Sequence, residues 1–367
     1  MSKVRHVLGI SGGKDSAALA IYVKTKYPTI DLELYTCDTG KELDETYTLI
    51  KNIEVYLGIK ISLLKGAENS SEAPFDHFLK MYGGFLPSST ARWCTKKLKL
   101  DPFEKYVGND PVISYVGIRG DEDRDGYIST KKNIQSIFPF RKNIWSQDVV
   151  TKLLSNQNVE QLLRISNNID FGKNKDKVIN TISRTINTSF TLDQKLNILL
   201  DANVKAFNNL VFEFLKTTDY PLAKEKTFPL LENDEVLVRD DIFKILEESG
   251  VGVPAYYKKI EFEFNGKIGQ YARSRSGCFF CFFQQKIEWV WLFEQHPDLY
   301  KKAMEYEKDG YTWGQQESLE ELIKPERIAA IKDEYIKRME RKSKAKSPYL
   351  MDILDDAEGE GCSACFI

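Results

Sequence analysis

The chain has 367 residues, 42% hydrophobic and 29% charged, a balance that excludes a wholly disordered polypeptide and allows one large domain or two ordinary ones. Lys and Arg number 52 against 54 Asp and Glu, a formal net charge of -2, so no global positive field draws polyanions and contact with nucleic acid needs local basic patches. Six cysteines are too sparse for a secreted disulfide scaffold, no apolar stretch reaches the length of a membrane span, and Met1 to His6 runs into a strand rather than a signal core; a cytoplasmic protein with no membrane partner is expected.

In chain order, His6 to Ile10 predicts a buried strand, and a small-residue turn leads at once into a helix over Ala17 to Lys26. Asp31 to Cys37 predicts a second strand, Leu43 to Leu57 a helix and Lys60 to Leu64 a third strand. A helical stretch around Thr90 to Tyr106 precedes a strand at Val112 to Ile118. Strands separated by helices call for an open α/β fold with a mainly parallel sheet, whose ligands sit at the carboxyl ends of the strands. From about Trp145 to Lys226 the pattern becomes helical and rich in Asn and Lys. Asp240 to Glu248 predicts a helix stopped by Gly250 to Pro254, Gln284 to Gln295 an aromatic helix, and charged helices follow to about Lys346. The expected organisation is an α/β domain at 1–145, a helical insertion at 146–226, a helical region carrying a Cys-x-x-Cys at 227–350, and a mobile acidic tail at 351–367.

The densest chemical signal is Ser11-Gly12-Gly13-Lys14-Asp15-Ser16, between a strand and a helix, where backbone N–H groups and the helix dipole converge on an anion. Glycines let the backbone wrap phosphate oxygens, the serines can donate, and Lys14 supplies charge. Asp15 fits beside a phosphate if it positions Mg²⁺ or orients the loop. The spacing G-x-x-x-x-G-K-[ST] is not met, which disfavours an ordinary P-loop NTPase.

These six residues after a first strand resemble the PP-loop of the ATP pyrophosphatases, whose fold is of the adenine nucleotide alpha hydrolase-like, HUP type. The resemblance implies an enzyme that binds ATP with Mg²⁺ and cleaves it between the α and β phosphates, or, in the reductase branch, binds a sulfonucleotide. Asp38-Thr39-Gly40, followed by Glu42 and Thr46, resembles the D-T-G segment of phosphoadenosine-phosphosulfate reductases, where it lies against the adenosine. Gly117-Ile118-Arg119-Gly120-Asp121-Glu122 is similar to the family's G-I-R-x-x-E segment, with Arg119 placed to fork onto phosphate. The implied nucleotide-binding set is Ser11 to Ser16, Asp38, Thr39, Gly40, Gly117 and Arg119, with Lys14, Asp15 and Arg119 as catalytic residues.

Thiolates are soft ligands, and Cys278-x-x-Cys281 with Cys94 arriving from elsewhere suits an iron–sulfur cluster or Zn²⁺; the aromatic flanks Phe279, Phe280, Phe282 and Phe283 favour a 4Fe-4S cluster. Arg92-Trp93-Cys94-Thr95 resembles a segment of the ATP pyrophosphatases of DNA phosphorothioation, relatives of the sulfonucleotide reductases that carry such a cluster. Arg273 and Arg275 would offset thiolate charge and could hold an anionic substrate. Cys362 and Cys365 form a second C-x-x-C, open to four readings: a fourth cluster ligand, a catalytic thiol (Cys365) of the reductase kind, a pair that relays persulfide, or an incidental end. Trp289, Trp291 and Phe293 read as core, with a base-stacking platform as the alternative. Lys337, Arg338, Arg341, Lys342, Lys344 and Lys346 read as a solvated basic helix end that could meet DNA phosphate.

The first expectation is therefore an ATP pyrophosphatase that adenylylates a nucleic-acid acceptor for sulfur incorporation, as in DNA phosphorothioation and defence against phage, served by a sulfur-donor protein such as a cysteine desulfurase. The alternatives are a phosphoadenosine- or adenosine-phosphosulfate reductase and a non-catalytic ATP-sensing subunit.

Overall fold

Strand β1 (Arg5–Gly9) runs through the centre of a five-stranded sheet because its residues Val7, Leu8 and Gly9 have apolar cover on both faces. The computed structural model describes residues 3–123, 129–308, 310–314 and 317–344; Cys362, Cys365 and the acidic tail lie outside them. After β1 come α1 (Lys14–Lys26), β2 (Leu32–Asp38), α2 (Asp44–Leu57), β3 (Ile61–Lys65) and α3 (Pro74–Met81). A helical run then combines α4 (Trp93–Thr95), a π turn (Lys96–Leu100) and α5 (Asp101–Val107), and leads into β4 (Val112–Tyr115) and β5 (Ile134–Ile137). The strand order is β3-β2-β1-β4-β5, with every neighbouring pair parallel. Edge strand β3 alternates in burial, with Leu63 and Lys65 exposed. The other edge, β5, is wholly buried, and the buried side chain of Gln135 accepts from the backbone N–H of Leu222 at 3.1 Å.

The sequence reading did not predict β5; its four residues are too few for a periodicity to register. The predicted strands β1 to β4 and helices α1 and α2 are all present within a few residues of their expected bounds.

Helices α6 (Gln147–Leu154), α7 (Val159–Ser166), α8 (Lys175–Ser183), α9 (Leu192–Ala202) and α10 (Val204–Leu215) occupy the stretch read as an insertion. They are not walled off from the sheet. Val149, Leu153, Leu162, Phe207 and Val211 join Leu8, Leu34 and the buried face of α1 in one apolar cluster. A buried polar network locks this junction: Trp145 Nε1 donates to Asn208 Oδ1 at 2.9 Å, and Asn208 Nδ2 donates to the carbonyls of Leu231 and Asn233. Asn233 Nδ2 donates in turn to the Pro139 carbonyl at 2.7 Å, which ties the turn after β5 to the segment around Asn233. The opposite face of the sheet is covered by Phe103 and Val107 of α5 on Val7, Tyr35 and Val112.

The chain continues through α11 (Arg239–Glu248), which packs on α1, into a hairpin of β6 (Ile260–Phe264) and β7 (Lys267–Tyr271). The region is helical as expected, with this hairpin as an element the sequence analysis did not predict. Asn265 and Gly266, both at positive φ, make the two-residue turn that a right-twisted hairpin favours. Then follow α12 (Lys286–Gln295), α13 (Pro297–Met304), α14 (Leu319–Leu322) and α15 (Pro325–Lys344). Their aromatic core is shared with the first domain: Phe75 of α3 meets Phe280 at 4.5 Å between ring centroids, and Phe280 stacks on Trp313 at 4.8 Å. Among the described residues no helix is long and apolar enough to cross a membrane.

Asn208→Ala is expected to leave Trp145 Nε1 and two carbonyls without their partner and to lower stability by about 3 kcal/mol. Because α10 shares its core with the sheet, denaturant unfolding followed by fluorescence and circular dichroism should remain one coincident transition. Two separated transitions would mean that the helices of 146–226 fold on their own.

Candidate functional site

Strands β1 and β4 are neighbours whose following segments leave in opposite directions, one toward β2 and one toward β5. Such a switch point opens a crevice at the carboxyl ends of the strands. The segment after β1 is Ile10 to Gly13, and the segment after β4 carries Val116 to Arg119, so the two motifs read from sequence meet there.

Glycine is required at position 12 on two counts. Its φ is +72°, and a Cβ would come within 2.2 Å of Thr46 Cγ2. Tyr256 Oη donates to the Gly12 carbonyl at 3.0 Å, fixing the peptide from the far side. A Cβ on Gly13 would stand 2.7 Å from Ser276 Oγ. Gly13 is the N-cap of α1 and has no side chain to cap the helix; its N–H donates to Ser11 Oγ and the Lys14 N–H to Tyr257 Oη, both at 3.4 Å. The Ser11 and Ser16 hydroxyls lie 3.2 Å apart, and Ser16 Oγ donates to the Gly13 carbonyl at 3.1 Å. The positive end of α1 therefore faces the crevice through backbone N–H groups.

Asp15 and Arg119 form a buried ion pair, with Arg119 Nη1 2.9 Å from Asp15 Oδ1 and 2.8 Å from Glu122 Oε1. Arg119 Nε reaches Asp121 Oδ1 at 2.9 Å. Lys14 Nζ is 3.3 Å from the other Asp15 oxygen and 5.0 Å from the centre of the Tyr257 ring. Of the two roles open to Asp15, orienting the loop is the one this geometry serves. Arg119, expected to fork onto phosphate, is held by carboxylates. Gly117 makes the approach possible, since a Cβ there would sit 3.0 Å from the Asp15 carbonyl oxygen.

A cation that the sequence reading gave only a supporting part stands closer to the requirement for an anion. Arg273 is 2% exposed; its Nη2 donates to the Cys278 carbonyl, while Nε and Nη1 have no hydrogen-bond partner among the described residues. Burying unpartnered donors on a charged group costs upwards of about 1–3 kcal/mol, a cost that an anionic ligand would offset. The segment after Arg273 lies on the loop through Ser276.

Asp38-Thr39-Gly40 ends β2 beside this crevice. Gly40 N–H donates to Asp38 Oδ1 at 2.8 Å, Thr39 Oγ1 donates to Glu42 Oε1 at 2.6 Å, and the Thr39 hydroxyl is 3.2 Å from Cys278 Sγ. Burial pushes the carboxyl of Glu42 up, with the Asp38 carboxylate adding to it, and burial pushes the thiol of Cys278 well up, with Glu42 adding to that shift. Cys37 is likewise pushed up to about 12 by burial.

Cys94 and Cys278 border the same aromatic cluster. Among the described residues, which leave out Cys362 and Cys365, no group of three or more His, Cys, Asp and Glu side chains is placed to hold a metal ion. The C-x-x-C segment is fixed by its backbone, in which Phe279 N–H donates to the Lys41 carbonyl and Cys281 N–H to the Cys278 carbonyl. His6 is structural, its ring bonded to Tyr115 Oη at 2.8 Å and its imidazole lowered to about 4 by burial. Trp289 and Trp291 are buried as core, and Lys337 is paired with Asp333 on its own helix. Tyr256, Tyr257 and Ser276 were missed by sequence reasoning, since nothing in a local pattern announces residues that reach the loop from about 245 positions away.

Gly12→Ala is expected to abolish nucleotide binding and to destabilise the chain. The double variant Gly12→Ala/Thr46→Ser removes the colliding methyl and should recover most of the lost stability, leaving the left-handed backbone cost of about 1–2 kcal/mol. Thermal unfolding of the single and double variants measures this; no recovery would mean that Thr46 is not the neighbour that requires glycine.

Residues 5–161 match the family model described as "Phosphoadenosine phosphosulfate reductase domain". The chain is similar to the uncharacterized protein MJ0066 of Methanocaldococcus jannaschii, at 36% identity over 38% of this chain and 27% of that protein. It is also similar to the uncharacterized protein MJ0973 of the same organism, at 27% identity over 40% of this chain and 36% of the other. No solved structure matches the chain at a significant level. The region that builds the crevice, from β1 into α7, is thus like a phosphoadenosine phosphosulfate reductase domain, a nucleotide-binding, sulfur-related enzyme domain, and the chain spans about a quarter to a third of the length of these two relatives.

Proposed function

We propose that the chain is an ATP pyrophosphatase that activates a nucleic-acid acceptor for sulfur incorporation. The observation that carries this reading is the meeting, at one switch point, of the glycine-capped N-terminus of α1 and the Gly12–Gly13 turn, with the buried, partly unpartnered guanidinium of Arg273 near Tyr256, the residue that holds the Gly12 carbonyl. Such a crevice suits a polyphosphate bound through backbone N–H groups, with one cation beside it. In the reaction an acceptor oxygen attacks the α phosphorus, the bond to the β-phosphate oxygen breaks, and pyrophosphate leaves with the electron pair. A sulfur nucleophile from a donor protein, such as a cysteine desulfurase, then displaces AMP from the adenylylated acceptor. Mg²⁺ arriving on the nucleotide would neutralise charge on the leaving group. Lys14, Asp15 and Arg119 hold the loop in shape, while Arg273 and the α1 amides take the charge.

A second reading, reduction of an adenylyl sulfonucleotide, is favoured by the family match of residues 5–161. There the Cys365 thiolate would attack sulfur, the nucleotide would leave, and Cys362 would displace sulfite as the disulfide forms.

Product chromatography of acceptor-stimulated turnover is expected to give AMP and pyrophosphate; ADP and phosphate as sole products would sink the proposal. Asp15→Ala should lower turnover at least 100-fold with an unchanged circular dichroism spectrum. Arg273→Met should move two quantities in opposite directions: nucleotide affinity falls about tenfold or more, while the ligand-free melting temperature holds or rises because an unpartnered buried charge is gone. A fall in both would make Arg273 purely structural.

Truncation after Glu360 separates the two chemistries. It should leave ATP cleavage to AMP intact under the first reading and abolish sulfite release under the second, with nucleotide binding spared in both.

A further inference from the structure

Just after the C-x-x-C, residues 282 to 286 line a cavity of about 420 Å³, within the range of small-ligand sites, roughly 300–1,000 Å³. Phe282, Phe283, Trp289 and Trp313 supply its apolar wall, and Ser88 and Ser89 stand at its rim. Phe282 and Phe283 are half-buried, with ring centroids 4.4 Å apart. Into this aromatic setting projects the side chain of Gln284. It is 8% exposed, and neither its Oε1 nor its Nε2 has a hydrogen-bond partner among the described residues. A buried carboxamide with both functions unpartnered is a costly arrangement unless a ligand completes it.

We infer that this cavity is a pocket for one nucleobase of a single-stranded or locally opened nucleic acid. The chemistry points to a base because a carboxamide offers an acceptor and a donor side by side, and the complementary pair is what the edges of adenine, cytosine and guanine present. The phenyl faces take the flat π surface of the same ligand. Cations stand where a strand's phosphates would run: the guanidinium carbon of Arg92 lies 5.0 Å from the centre of the Phe283 ring, and that of Arg275 lies 5.6 Å from it. The one carboxylate in the lining, Glu317, is neutralised by Lys286 at 2.5 Å and Arg327 at 2.6 Å, so it does not repel the backbone. Segment 273–284 thus ties the two sites together, with Ser276 on the phosphate loop and Gln284 in the base pocket.

The inference rests on the reading of the acceptor as a nucleic acid, but its test reads binding alone, so a failure of ATP cleavage and a failure of base binding are seen separately. Fluorescence titration of the full chain, reported by Trp289 and Trp313, compares a short single-stranded DNA with an abasic strand of the same length and with free AMP. The base-bearing strand is expected to bind at least tenfold tighter than the abasic one and to quench the emission. Gln284→Leu should erase that difference while ATP affinity is unchanged. Gln284→Glu, of the same shape but accepting only, should move the preference toward guanine, whose N1–H and N2–H lie side by side. Equal affinity for the abasic strand, or a Gln284→Glu variant with unaltered base preference, overturns the proposal. Competition by AMP at concentrations equal to the strand would overturn its assignment to a strand.

Discussion

The buried pair of Asp15 and Arg119 is the contact on which the nucleotide crevice depends. It joins the first turn of α1 to the segment after β4, the two chain directions that diverge at the switch point. In a setting with 3–4% exposure on both partners, losing either one would strand a charge, at a cost of about 3–5 kcal/mol. Arg119 has further carboxylates at Asp121 and Glu122, and Arg141 fastens the same turn by donating to the carbonyls of Arg119 and Glu122. The loop is therefore rigid before any ligand arrives, which is the condition for backbone N–H groups to serve as a preformed anion site.

The second organising feature is the segment from Tyr256 to Gln284, which comes from far along the chain and closes on the first domain. Tyr256 holds the Gly12 carbonyl, Ser276 fills the space beside Gly13, Cys278 meets Thr39, and Phe280 plugs into the aromatic cluster around Phe75. Each contact has a different chemistry, yet all register one stretch of backbone against the carboxyl ends of β1 and β2. Cys278 in this frame is a buried thiol whose pKa is raised by burial and further by the carboxyl of Glu42. The shared aromatic core explains why the C-terminal helices cannot be treated as an appendage: removing them would expose Phe75, Trp93 and Leu43 together.

Arg273 and Gln284 are alike in one respect. Both are buried polar side chains whose partners are incomplete within the described residues, and both lie on segment 273–284, one near the loop-holding Tyr256 and the other in the aromatic cavity. Protein interiors rarely tolerate such groups without a use.

The local elements of the first domain were legible from sequence because they are set by nearest neighbours: a continuous apolar run such as Val7-Leu8-Gly9 makes a central strand, and the glycine turn into Lys14 can only be a tight strand-to-helix passage. The loop motif and the order of strands and helices followed from those, and so did the location of a site at the strand ends. The hairpin of β6 and β7 was legible but not read: Ile260, Phe262 and Phe264 alternate with Glu261 and Glu263, and Asn265-Gly266 is the two-residue turn signal between two strands, while its packing on α15 lay beyond any local pattern. The expected boundary at 145 was also beyond local pattern, because whether helices form a separate unit depends on which face of the sheet they cover. The pairing of Arg119 with Asp15, the placing of Cys94 and Cys278 beside one aromatic cluster, and the hold of Tyr256 on Gly12 all arise between residues 104 to 244 positions apart. Sequence by itself determined the loop's chemistry and the open parallel sheet, as these are written in short-range patterns of size and polarity; only the tertiary structure decided which charges face a ligand and which merely hold the loop, because that depends on distances between side chains that no local pattern contains.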